Sequence, residues 1–143
     1  MSFDLKITNG DLVIKNGDLQ PVFDADKLIQ DILKLCLTAA GTNPLHPWYG
    51  SFLSRTIVGN PMETPMLVQI SRSQLTTALE NLKGLQDLQV KTFQKVSADE
   101  QIGSILDISV IRNNVDPRLF EVKLKIVTKG FRTVSTGFRV SAI

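Results

Sequence analysis

The sequence predicts one α+β domain: an N-terminal β-hairpin, two main helices plus a short one, and an antiparallel sheet that carries the helices and ends in a C-terminal hairpin. Three observations predict it. The first twenty residues alternate with period two around Asn-Gly turns. The middle of the chain spaces its apolar residues as helices do. From Leu106 onward, three runs alternate apolar and polar residues strictly. At 143 residues the chain is sized for a single unit, 1–143, with a core of its own.

Phe3, Leu5 and Ile7 alternate up to Asn9-Gly10, and Leu12 and Ile14 follow. Both central residues of a two-residue hairpin turn need positive φ, which Asn and Gly tolerate best. Asn-Gly-Asp-Leu recurs at Asn16 to Leu19, seven residues later, and predicts a second reversal after a very short strand. The repeat looks only superficially like a calcium loop, because one acid per copy (Asp11, Asp18) supplies too few oxygen ligands. Asp24 is placed as an N-cap, with Phe23 and Leu28 as a hydrophobic staple. Leu28, Ile32, Leu35 and Cys36 then predict a helix over 25–38. Cys36 falls on that apolar stripe and reads as a core residue rather than a nucleophile.

Two prolines and two glycines make 41–50 a rigid loop that holds the chain's single His, Trp and Tyr: His46, Trp48 and Tyr49. No Ser or Cys is assigned to His46 as a partner by spacing, so the loop reads as structural or partner-facing. Residues 51–58 predict a short helical turn ending at Gly59. Thr64-Pro65 opens the second long helix, with Leu67, Ile70, Gln74, Ala78, Leu79 and Leu82 on one face. Lys83-Gly84 is a C-terminal signal that closes it, and 88–96 then reads as a strand. Leu106, Ile108 and Val110 alternate with polar residues, as do Phe120, Val122, Leu124 and Ile126. Val134, Thr136, Phe138 and Val140 do the same, and Lys129-Gly130 joins the last two runs.

Composition narrows the function. One cysteine cannot form an internal disulfide, and with one histidine it cannot complete a usual zinc site; no cofactor or metal is expected. No run of apolar residues is long enough to span a bilayer, and no signal peptide is expected at the start. Residues 1–104 carry 9 Lys/Arg against 11 Asp/Glu, and 105–143 carry 7 against 3. That basic final third is spread along strands with few aromatics, which disfavours nucleic acid as a partner. Glu63, Glu80, Glu100 and Glu121 show no pattern that would raise one carboxyl beside another, as glycoside hydrolysis requires. Asp116-Pro117-Arg118 is the one charged constellation that stands out. Spacing alone reads it as a turn leading into a strand with a surface ion pair, although Arg118 could offer its donor fork to a partner carboxylate.

These features, in this order, resemble the baseplate sheath-initiator (lysozyme-like baseplate wedge) family of contractile-tailed phages, which has relatives in R-type pyocins and type VI secretion. The likeness rests on the Asp-Leu turns from Asn9 to Leu19, the first helix and the Leu37-Thr38 to Gly41-Thr42-Asn43-Pro44 loop. It continues through Tyr49-Gly50 and the second helix to the acid-Pro-Arg motif ahead of the closing hairpin. The family motif is usually Glu-Pro-Arg; Asp116 is one methylene shorter.

The resemblance implies a structural subunit of a virion tail baseplate, made in the host cytoplasm, and not an enzyme. It implies contacts with tail sheath protein, baseplate wedge proteins, tail tube or hub proteins and copies of itself in a ring, without nucleic acid or membrane. Its partner-binding residues would be Asp116, Pro117 and Arg118, together with Thr133, Val134, Ser135, Thr136, Gly137, Phe138, Arg139 and Val140. This last segment, continuing to Ile143, would offer strand edges to the first sheath ring. The alternative is a peptidoglycan-degrading tail lysozyme.

Overall fold

The structure is a computed structural model and describes residues 2–141; Ala142 and Ile143, the last residues of the expected terminal strand, lie outside the described residues. The N-terminal segment is three heptads, Asp4–Gly10, Asp11–Gly17 and Asp18–Asp24. They fold into six two-residue strands: β1 (Asp4–Leu5), β2 (Ile7–Thr8), β3 (Asp11–Leu12), β4 (Ile14–Lys15), β5 (Asp18–Leu19) and β6 (Pro21–Val22). β2–β3 and β4–β5 are tight hairpins around Asn9-Gly10 and Asn16-Gly17, all four at positive φ. β1 pairs with β6 and closes the unit. Both expected Asn-Gly reversals are present, and a third lobe completes a clover in which Lys6, Val13 and Gln20, seven residues apart, bond one another in a cycle. Lys6 N–H donates to Gln20 C=O (2.8 Å), Gln20 N–H to Val13 C=O (3.0 Å) and Val13 N–H to Lys6 C=O (3.0 Å).

Helix α1 (Asp24–Leu37) buries Leu28, Ile32, Leu35 and Cys36 as its spacing predicts. Its start differs. Phe23 occupies the N-cap position without a side-chain cap, and its ring meets Phe3 at 6.2 Å. The Asp24 carboxylate, expected to cap, instead accepts a hydrogen bond from the Ser97 hydroxyl (2.8 Å). The 41–50 loop is tied at its base: Ser51 N–H donates to Thr38 C=O and Ser51 Oγ to Cys36 C=O. Gly50, at φ +113°, passes so close that a Cβ would stand 2.6 Å from Thr38 O, so only glycine fits. α2 (Leu53–Ile57) is the expected short helix.

Helix α3 (Thr64–Lys91) corrects two expectations: Gly84 does not end it, and 88–96 is not a strand. Local stop chemistry is overruled by tertiary bonds one turn on. Gln86 is buried; its Nε2 donates to Glu100 C=O (2.9 Å) and its Oε1 accepts from Ile102 N–H (2.8 Å), which requires residue 86 to be helical. Gly84 lies exposed on the opposite side, with nothing near it. The helix ends at Thr92, followed by Phe93 at φ +62°.

A 3-10 turn, Ala98–Glu100, carries a capping box between Ser97 and Glu100. The buried Glu100 carboxylate also accepts from Ser2 N–H (3.1 Å) and Ser2 Oγ (2.9 Å), tying the start of the chain to the sheet's approach. The sheet follows: β7 (Ile102–Arg112), β8 (Leu119–Thr128) and β9 (Thr133–Ser141), antiparallel, in the order β7-β8-β9. Phe120, Val122, Leu124 and Ile126 of β8 face inward at 1–2 % exposure, and the helices' apolar stripes close over them. Register shifts in β7 push Leu106 to the surface, against its expected inward place, while Ile108 and Val110 remain buried. The β8–β9 turn uses Phe131, not Gly130, at positive φ; Phe131 N–H donates to Thr128 C=O and Thr128 N–H to Arg132 C=O.

Candidate partner-binding edge

Which way β9 presents its backbone follows from two hydrogen bonds at opposite ends of the sheet. Thr128 N–H donates to Arg132 C=O, so even-numbered residues of β8 point toward β9. Asn113 N–H donates to Leu119 C=O, so odd-numbered ones point toward β7. The β8–β9 register runs unbroken from Val127↔Thr133 to Leu119↔Ser141. Alternation along an antiparallel ladder therefore turns Val134, Thr136, Phe138 and Val140 to β8. Thr133, Ser135, Gly137 and Arg139 turn their N–H and C=O groups outward. Among the described residues, no strand pairs with that outer side.

The same odd residues carry the exposed side chains of β9. Val134 is buried, and Thr136, Phe138 and Val140 are half-buried. Hence β9 contributes to the core with one face only. On the other face, Arg139 reaches Glu121 across the sheet at 3.6 Å.

Asp116-Pro117-Arg118 forms the β7–β8 turn. Since Leu119 pairs with Ser141, the motif stands at the same end of the sheet as the close of β9. The Asp116 carboxylate accepts from Arg118 N–H (3.0 Å) and Arg118 Nε (3.2 Å). The backbone bond from Arg118, then its guanidinium, hold the Asp116 carboxyl below the usual carboxylate range. Acid and base thus serve each other, and Arg118 still keeps most of its surface in solvent. The turn is ordered further by Asn113 Oδ1, which accepts from Val115 and Asp116 N–H. Arg112, which sequence reasoning passed over, binds Pro117 C=O and the Thr64 hydroxyl (2.7 Å) and lies over Phe120 at 5.6 Å. It pins the motif to the start of α3. No spacing signal announces this, because the contact joins residues 48 apart.

The other candidates are accounted for locally. Cys36 is buried, and burial pushes its thiol up to about 12, which suits a core residue and disarms a nucleophile. His46 stacks near Trp48 (5.7 Å) in an exposed loop. Glu121 accepts from Asn113 and faces Arg139, while Glu100 holds Ser2 and Ser97. Among the described residues, no group of three potential ligands could hold a metal ion, and no helix is long and apolar enough to cross a membrane.

Fold and edge together define a small α+β protein whose antiparallel sheet finishes in an open strand. No family model matches the chain, and no curated protein matches it. Among solved structures, it is similar to a Geobacter sulfurreducens protein described as a "putative tail lysozyme". The TM-score is 0.61 at 10% identity, over 81% of this chain and 88% of that one. At that identity the likeness shows a shared fold.

Proposed function

We propose that this protein is a structural component of a contractile phage-type tail, a baseplate subunit that starts sheath assembly by letting a sheath strand add to the outer edge of β9. The observation that carries the proposal is the row of outward-turned backbone groups at Thr133, Ser135, Gly137 and Arg139. Such a row is a template for another chain: main-chain bonds give affinity and alternate side chains give selectivity. The similarity to a protein described as a tail lysozyme supports a tail setting, as does the order of motifs in the sequence. In this reading Arg118, beside the end of β9, meets an acidic wedge or neighbouring subunit, and tube or hub proteins and further copies complete the ring.

The deciding experiment exploits the alternation. Ser135→Pro removes an N–H that points away from β8, a place where edge strands accept proline. Thr136→Pro removes one that bonds β8. Ser135→Pro should keep the unfolding midpoint within a few degrees of the parent yet abolish sheath polymerisation on reconstituted baseplates; Thr136→Pro should unfold the protein. Normal sheath growth on Ser135→Pro baseplates refutes the reading. Deleting all of β9 is a poorer test, because Val134 belongs to the core.

A second reading, peptidoglycan hydrolysis, is favoured by the description of the structural neighbour. A zymogram decides it: a cleared band that vanishes on Glu63→Gln would establish it, and the proposal above expects no clearing.

A further inference from the structure

Gly137 interrupts the outer face of β9. It pairs with Lys123, stands between Ser135 and Arg139 on its own strand, and carries an outward-turned N–H and C=O. Its own neighbour accounts for the glycine, since a Cβ would meet Val122 O at 2.9 Å. On the solvent side Gly137 borders a groove across the sheet, lined by Asp107 of β7, Lys123, Leu124 and Lys125 of β8, and Ser135 and Thr136. A second groove runs from Gly137 past Phe138 to Arg139, with Glu121 and Lys123 on its other side. The outer face of the sheet therefore has a recess beside Gly137, ringed by Lys123, Lys125 and Arg139 together with the acids Asp107 and Glu121.

Resting on the strand-addition reading, we infer that the strand joining β9 carries an aromatic side chain opposite Gly137 and an acidic one two residues away, opposite Arg139. Pairing with an aromatic residue on the adjoining strand is how a glycine in an edge strand regains the cross-strand contact it lacks. The ring lies across the glycine toward Lys123, its cross-strand partner, whose aliphatic stem offers it apolar contact. Arg139 is 70% exposed on its side chain and uses one long contact, to Glu121, so its fork keeps donors for a second carboxylate. A basic residue there would set like charges opposite each other.

The inner face adds a third requirement. Thr136, Phe138 and Val140 are half-buried, whereas their β8 partners Leu124, Val122 and Phe120 are almost fully covered. The intervening residue of the incoming strand, opposite Phe138, is accordingly apolar and extends the core. In a strand antiparallel to β9, the recognised sequence is acid–apolar–aromatic from N- to C-terminus.

The test pans a library of displayed, randomised twelve-residue peptides on the whole protein and follows hydrogen exchange at Ser135, Gly137 and Arg139. Selected peptides should slow exchange at these amides and carry an acid and an aromatic residue two apart. Replacing the aromatic residue with alanine should weaken binding at least ~10-fold, about 1.4 kcal/mol. With Arg139→Glu as bait, a surface change that leaves the core intact, the acidic position should switch to Lys or Arg. Peptides that protect the three amides without an aromatic residue, or an unchanged charge preference on the altered bait, overturn this inference and leave strand addition standing. Failure of both the peptides and assembled sheath to protect these amides overturns strand addition itself.

Discussion

Replacing Gln86 tests why α3 runs through its own stop signal. In Gln86→Leu the volume hardly changes, so little cavity is left and the cost falls on hydrogen bonding. Glu100 C=O and Ile102 N–H lose their partners inside residues that are 1% and 0% exposed. A buried, unsatisfied backbone group costs about 1–3 kcal/mol, so two of them should cost about 4 kcal/mol. For a domain of this size that is a fall in Tm of roughly 8–16 °C. Urea unfolding followed by circular dichroism measures it, with an unchanged slope showing that the loss lies in stability alone. Gln86→Glu sharpens the reading. Its carboxylate still accepts from Ile102 N–H but repels Glu100 C=O, whereas the protonated acid can donate there as the amide does. Its deficit against the parent should therefore shrink as pH falls. Deficits below about 1 kcal/mol in both variants would refute the claim that these two bonds hold residues 84–91 in the helix.

Other expectations follow from the same geometry. Gly84→Ala, in an exposed helix interior with open space at the Cβ, should raise stability by about 0.5–1 kcal/mol in the same urea assay. Burial pushes the Asp4 carboxyl up, but the Lys34 ammonium and Leu5 N–H outweigh it and hold it below its ordinary value. Burial likewise pulls the Lys34 ammonium down, and Asp4 and Asp31 more than restore it, holding it above. The Asp4 contribution is therefore present above the unfolded carboxyl value near ~3.9 and lost as pH falls through the lower folded value; that of Lys34 is present below ~10.4 and lost as pH rises through the higher folded one. Lys34→Met should flatten both flanks of a Tm–pH profile, by no more than about 1 kcal/mol because the groups are about one-third exposed. Cys36 should react with a thiol reagent only through the unfolded state, so at low reagent concentration its labelling should accelerate in urea in step with the unfolded fraction.

Much of this fold was legible because its signals are local. Asn9-Gly10 and Asn16-Gly17 require their turns, Leu28 to Cys36 their stripe, and Phe120 to Ile126 their inward face, whatever the rest of the chain does. The misreadings share another cause. Gly84 ends a helix when nothing distant needs the next turn, and Gln86 supplies a need that only the arrival of Ile102 reveals. Asp24 is a good cap in isolation, yet Ser97, 73 residues on, takes its carboxylate. Leu106 keeps the period of its strand in sequence and loses it to the register shifts that β8 reveals. Of the candidate edge, the alternation of Val134 to Val140 was readable. Which residues turn their backbone outward was not, because that parity is set by the register with β8 and by the turns at Asn113 and Thr128.

The clover at the N-terminus also constrains how this chain can change over time. Three peptide groups that each serve the next form a loop with no free end, so the number of lobes is locked. Dropping seven residues would strand a donor and an acceptor at the centre, whereas the tips lie outside the ring and are held only by the positive φ of Asn9-Gly10 and Asn16-Gly17. Variation among descendants of this sequence should therefore gather at the exposed strand positions flanking the turns, such as Thr8 and Lys15, while the Asn-Gly pairs and the spacing between Lys6, Val13 and Gln20 persist.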